Sequence, residues 1–217
     1  RLWDALDLQL LAPFEYYACE DETDFSAVPW NRVGEQQAVS SLVSNNDLRA
    51  RLVLREWARL SASPRSSRAL VFCVSVAHAL FMADFLCRAV LPAACVHGGA
   101  PTEERNHARQ RLESGELCAL VTVDLFNEGI DLPTVDTVLL LRPTQSAVLF
   151  QQQLGRGLRL SSGKESCLVL DFVGLHNAEF PFYWLLSSII VQSRRALIGS
   201  LQHGVSPLPA ACACQLP

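Results

Sequence analysis

The sequence predicts an α/β fold, with one mainly parallel β-sheet covered by helices on both faces. Three observations carry that expectation. Five runs, ALVFCV (69–74), AACVH (93–97), LCALVTV (117–123), DTVLLL (136–141) and SCLVLDF (166–172), read as strands. They are apolar throughout rather than at every second residue, the pattern of strands buried on both faces. Helical segments separate them, so strands and helices alternate.

Taken in order, residues 2–11 carry Leu2, Leu6, Leu8, Leu10 and Leu11 and predict a short helix stopped by Pro13. The aromatic and acidic stretch 14–30 favours a strand or loop, because Pro29 and the acids of 20–24 interrupt any helical period. DLRARLVLREWARL (47–60) predicts a second helix with Asp47 as its N-cap. SASPRSSR (61–68) is polar, contains a proline and reads as a boundary loop.

From Ala69 the strand rhythm begins. A helix is expected over 76–90, then the strand ending at His97 and a GGA turn. Thr102 is expected to cap the next helix, whose first turn holds Glu103 and Glu104, acids suited to the positive end of the helix dipole. That helix should end near Ser114 and Gly115. Two strands, a helix holding Gln152 and the strand 166–172 follow. Helical character returns over about 179–201, and the tail has no clear period. The expected division is an upstream helical and loop segment (1–61), an α/β domain (62–175), and a helical segment opening an accessory region (176–217).

The net charge of −4 supplies no global basic field, so nucleic-acid binding would need a local patch. Most of the eight cysteines sit inside apolar runs, with no C-x-x-C spacing. That argues against zinc and a disulfide framework and favours a reducing, cytoplasmic setting. No signal peptide is evident, and FPFYWLLSSIIV is too short to span a bilayer. The chain opens on Arg1 rather than Met, so a fragment of a longer protein is expected.

Neither common nucleotide loop is complete. G-x-x-x-x-G-K-[ST] is absent, since Gly163-Lys164 is followed by Glu165 and lacks the upstream glycine. The dinucleotide pattern fails at Leu160, where its third glycine would stand after Gly155 and Gly157. What remains is Q-x-x-G-R-x-x-R at Gln152, Gly155, Arg156 and Arg159. Two planar, permanently charged guanidinium forks beside glycines suit phosphate oxygens. Alone, the pattern fits a solvated turn equally well.

It does not stand alone. In order come ALVFCVS, HGGAPTEER, VTVDLFNEGIDLP, LLLRPTQS and QQLGRGLRL. This succession resembles the second RecA-like domain of superfamily-two helicases, with ALVFCVS similar to their motif four, VTVDLFNEGID to motif five and QQLGRGLR to motif six. The closest resemblance is to the large bacterial DEAD/DEAH-type helicases of restriction-like or defence loci, which carry a C-terminal domain of unknown function. It extends over nearly the whole chain and is strongest from 69 to 172.

The resemblance implies a RecA-like parallel sheet and a motor domain that shares an ATP site with a first RecA-like domain. That first domain would supply the phosphate loop and hold Mg2+. Arg156 and Arg159 would be arginine fingers, with Gly129, Asp131, Gln152 and Gly155 around the nucleotide. Ser75, His97, Gly98, Gly99 and Thr122 would lie along a nucleic-acid backbone, expected to be DNA. The isolated chain would not hydrolyse ATP. One departure stands out: Val123 precedes Asp124 where many relatives have Thr, which leaves Thr122 one place back. Asp124 serves equally well as a helix cap.

Other residues favour plainer roles. His78, His107, His176 and His203 show no ligand spacing, the four tryptophans suit core packing, and the acids of 20–24 suit a solvated loop. A competing reading is a non-catalytic interaction or regulatory module on the same fold, against which the intact Asp131, Gln152, Arg156 and Arg159 argue. A nuclease or methyltransferase accessory role finds no supporting cluster.

Overall fold

The structure, a computed structural model, describes residues 8, 10–30, 34–123, 132–143, 146–175 and 213–215. Its strands are β1 (Phe14–Asp24), β2 (Ala69–Phe72), β3 (Ala93–His97), β4 (Ala119–Val123), β5 (Thr137–Leu140), β6 (Cys167–Leu175) and β7 (Ala213–Gln215). They form one sheet in the order β3-β4-β2-β5-β6-β1-β7, and each of these pairings is parallel. The helices are α1 (Glu35–Val43), α2 (Asp47–Leu60), α3 (Val76–Arg88), α4 (Thr102–Ser114) and α5 (Ala147–Gly157).

All five expected strands pair in this sheet, and the reason is visible in their burial. Leu70, Phe72, Leu120, Val138 and Leu140 face one core, where Ala108 and Leu112 of α4 and Phe150 and Leu154 of α5 cover them. The alternating residues Ala69, Val71, Val121 and Leu139 face a second core, closed by Ala50, Val53 and Trp57 of α2 and by Ala79, Met82 and Leu86 of α3. Both sides of each central strand need apolar side chains, so the runs carry no alternation. The result is a RecA-like α/β fold.

The sheet begins upstream of residue 62. β1 runs beside β6 from Phe14↔Cys167 to Glu20↔Val173, and α2 supplies core residues. The acids of 20–24, expected in a solvated loop, stand in the carboxyl half of β1. Glu20, Glu22 and Asp24 are exposed, but Asp21 is buried. Its Oδ2 accepts a 2.6 Å hydrogen bond from Arg49 Nε of α2. A charged group tolerates that burial only with a counterion and a hydrogen bond.

Helix ends differ from expectation in three places. The α2 N-cap is Asn46, one place before Asp47; its Oδ1 accepts from Arg49 N at 3.0 Å. Thr102 is the first residue of α4 rather than its cap, a position held by Pro101 without a side-chain hydrogen bond. α3 ends at Arg88, and Val90 follows with φ of 64°. Gly115 ends α4 in the left-handed region with φ of 84°, as glycine readily does. Of the helix expected over 2–11, the described residues form only a turn at Leu8 and bends at Leu10 and Leu11. The helix expected over 179–201 lies outside the described residues. No helix among the described residues is long and apolar enough to cross a membrane.

Trp30 and Trp57 are buried in the core. So is His78, which takes a packing role: its Nδ1 accepts from Val74 N at 3.4 Å. Trp3 and Trp184 lie outside the described residues.

Candidate functional site

In a parallel sheet all strands end on one rim, and the chain leaves each strand there. The register puts Phe72 beside Thr122, Val96 beside Thr122 and His97 beside Val123. β2, β3 and β4 therefore end on the same rim.

Ser75 caps α3 there. Its Oγ accepts from His78 N at 3.2 Å and lies 2.7 Å from Ser40 Oγ of α1. The first-turn amides of α3 therefore face the carboxyl rim, where a helix start attracts anions. At the end of β3 the chain turns tightly. Ala100 N donates to His97 O at 2.9 Å, and Gly99 N donates to His97 Nδ1 at 3.2 Å. Gly98 and Gly99 are exposed. A Cβ on Gly99 would lie 3.3 Å from His97 Nδ1, so the turn has little room for a side chain there.

Thr122 departs from its expected role. It is fully buried, and its Oγ1 has no hydrogen-bond partner among the described residues. Its side chain shares the face of Leu120, which packs in the core beneath α4 and α5. The hydroxyl is thus not presented at the rim. Its carbonyl accepts from Cys73 N at 2.8 Å, continuing the pairing of β2 with β4.

The arginine motif lies at the other rim. Ser146 caps α5, its Oγ accepting from Leu149 N at 3.3 Å. The helix starts after β5, at the carboxyl rim, and runs back across the sheet to end over the amino ends of β5 and β6. Gly157 marks this crossing. A Cβ there would lie 2.5 Å from Val138 Cγ2 and 2.6 Å from Cys167 Sγ, so only glycine lets the helix approach the sheet so closely. Gly155 is different, since no described atom lies within 4 Å of its Cβ position. Gln152 is exposed, and Arg156 and Arg159 are half-buried. Gln153, its neighbour, is buried with Oε1 unpartnered among the described residues.

Three consecutive carbonyls at this helix end take donors from elsewhere in the chain. Leu158 O accepts from Ala12 N at 2.7 Å. Lys164 Nζ donates to Gly157 O and, at 2.9 Å, to Arg159 O. Burial pulls the Lys164 pKa below its ordinary value, against the opposing influence of Cys167 and Asp136. In the sequence Lys164 stands within an incomplete phosphate-loop pattern, Gly163-Lys164-Glu165. Its one available signal is that it is the single lysine beside seventeen arginines.

Gly129, Asp131 and Asp124 lie outside the described residues. The structure brings Gln152, Gly155, Arg156 and Arg159 together on one helix end, and Ser75 with His97, Gly98 and Gly99 along the opposite rim. Among the described residues no group of three His, Cys, Asp or Glu side chains is placed to hold a metal ion.

Residues 52–161 match the helicase conserved C-terminal domain. This chain belongs to the helicase conserved C-terminal domain family. The matched span of this helicase C-terminal domain reaches from α2 through the arginine motif. The domain is 28% identical over 172 residues to the protein of Saccharomyces cerevisiae named as the ATP-dependent helicase IRC3, covering 79% of this chain and 25% of the relative. It is 38% identical over 118 residues to the Schizosaccharomyces pombe protein named as the mitochondrial ATP-dependent helicase irc3, covering 54% of this chain and 19% of the relative. Among solved structures it is similar to a fragment of an HsdR subunit of a type I restriction enzyme from Vibrio vulnificus YJ016. There the TM-score is 0.59 and the identity 26%, over 79% of this chain and 34% of the other. The chain thus spans a quarter or less of the length of these two yeast relatives. Together these likenesses make it the second RecA-like domain of the superfamily-two type.

Proposed function

We propose that this helicase C-terminal domain is the second motor domain of an ATP-dependent helicase or translocase acting on DNA. One observation supports the reading above the others. Arg156 and Arg159 stand at the helix end over the amino ends of β5 and β6, and Ser75 and the His97 to Gly99 turn stand at the carboxyl rim of the same sheet. A domain so built can hold a nucleotide at one edge and a phosphate backbone at the other, and couple the two through the helices between.

In this reading ATP lies between Arg156 and Arg159 and the phosphate loop of a first RecA-like domain, which also holds Mg2+. The two guanidinium groups stabilise charge on the transferring phosphoryl group, where such fingers give about 10³–10⁵ in rate. The open space at Gly155 leaves room for the nucleotide beside the helix. Gln152, exposed on the same helix, contacts the nucleotide, with Gly129 and Asp131 approaching from motif five. At the carboxyl rim, Ser75 and the amides of α3 and of the His97 to Gly99 turn contact phosphates with little base readout. The names of the yeast relatives favour ATP use, and the likeness to a restriction-enzyme subunit favours DNA.

The test is steady-state ATP hydrolysis by the protein that joins this domain to its first RecA-like domain, with single-stranded DNA, duplex DNA or RNA added. The reading expects DNA to stimulate turnover most, and this domain by itself to show none. Stimulation by RNA alone would move the substrate assignment, and turnover by this domain alone would overturn the shared site.

A further inference from the structure

We propose that Lys164 is a positioning residue for the arginine pair, holding the backbone of 157–159 so that Arg156 and Arg159 project in a fixed direction. The inference rests on the finger reading above and deepens it.

The argument begins with helix chemistry. The last carbonyls of a helix lack intrahelical donors and point out of its end. Here the carbonyls of Gly157, Leu158 and Arg159 are held from outside by Lys164, Ala12 and Lys164 again. The ammonium thus bridges the residue directly after Arg156 and Arg159 itself. A cation is also favoured electrostatically at a helix carboxyl end.

Lys164 is itself anchored. It closes a turn in which its own N donates to Ser161 O at 3.2 Å, with Gly163 in the left-handed region at φ of 78°. Three residues later Cys167 begins β6 and packs against the Cβ position of Gly157. These contacts tie the turn, the strand and the helix end together. Arginine fingers need a fixed placement, because transition-state stabilisation falls off with small misplacements of the donor. The lowered pKa of Lys164 agrees with an ammonium drawn out of water to make these two contacts.

The test uses the protein carrying both RecA-like domains and compares Lys164→Met, Lys164→Arg, Arg159→Ala and the double variant Lys164→Met with Arg159→Ala. ATP turnover is measured with saturating single-stranded DNA, and each variant's melting temperature is recorded. Lys164→Met should lower kcat about tenfold or more with KM for ATP within about twofold, the signature of an interaction lost in the transition state. Lys164→Arg, which keeps donors for the two carbonyls, should retain most of the turnover. In the Arg159→Ala background, Lys164→Met should add no further loss, because residues acting through one group are non-additive. Unchanged kcat in Lys164→Met, an equal loss in Lys164→Arg, or a full multiplicative loss in the double variant would overturn the positioning role. The Arg159→Ala single variant reads the finger assignment separately, so the two failures are distinguishable.

Discussion

Arg49 Nε donates to Asp21 Oδ2 at 2.6 Å, and their side chains retain only 3% and 2% of their exposure. The pair ties α2 to β1 across 28 residues of sequence. It gives β1 a fixed place beside α2 in this helicase C-terminal domain.

Removing one partner strands the other. Arg49→Met should destabilise the domain by about 3–5 kcal/mol, the usual cost of leaving a buried charge unpaired. The double variant with Asp21→Asn should lose clearly less than the sum of the two singles. Urea denaturation of all four forms measures both quantities; a loss of only a few tenths in Arg49→Met would mean that the pair behaves like an exposed one.

His78 makes stability depend on pH. Burial, aided by Arg49, lowers its pKa from 6.5 to about 3. A depressed folded-state pKa gives stability that is present above the unfolded value and lost as pH falls toward the folded one. Stability should therefore drop as pH falls below about 6.5. Asp171 works the other way. Burial, opposed by the Tyr16 hydroxyl at 2.6 Å and by Arg49, pushes its pKa up from 3.8 to about 6. Its contribution is full below 3.8 and fades as pH rises through 6. His78→Gln should flatten the acid-side loss, and Asp171→Asn should steepen it. Denaturation midpoints at pH 7, 6, 5 and 4 give the slopes; parallel curves for His78→Gln and wild type would refute the assignment.

The two glycines of motif six should respond oppositely to alanine. Gly157→Ala drives a methyl into Val138 and Cys167 and should cost about 1–3 kcal/mol, the usual penalty of overpacking. Gly155→Ala meets no described atom within 4 Å. It should stabilise the helix by about 0.5–1 kcal/mol while weakening ATP binding if the nucleotide uses that space. Thermal unfolding with and without nucleotide separates the two effects, and equal destabilisation by both changes would contradict the packing described.

Much of the fold was legible because burial on both faces writes itself as unbroken apolar runs. β1 was only half legible. Its acids suggested a loop, and nothing local shows that Asp21 meets Arg49. Asn46 and Asp47 are both good cap residues, and only the backbone decides for Asn46. In the site, Q-x-x-G-R-x-x-R was readable as a pattern. The reason for Gly157, a close approach to β5 and β6, belongs to packing that sequence does not display. The burial of Thr122 is hidden for a related reason, since strand parity turns its side chain inward. The contacts of Lys164 are not legible in the sequence, because its partners are the main-chain carbonyls of Gly157 and Arg159.

Whether Arg159 acts on the transferring phosphoryl group is tested most directly by steady-state ATP hydrolysis by the protein containing both RecA-like domains, with and without single-stranded DNA. Arg159→Ala should cut DNA-stimulated turnover by about a thousandfold or more, and Arg156→Lys should also be damaging, since an ammonium does not reproduce the planar fork. Binding of DNA without ATP should stay close to wild type. Near-normal stimulated turnover in Arg159→Ala would contradict the finger role and leave the arginine pair as part of a packed helix end.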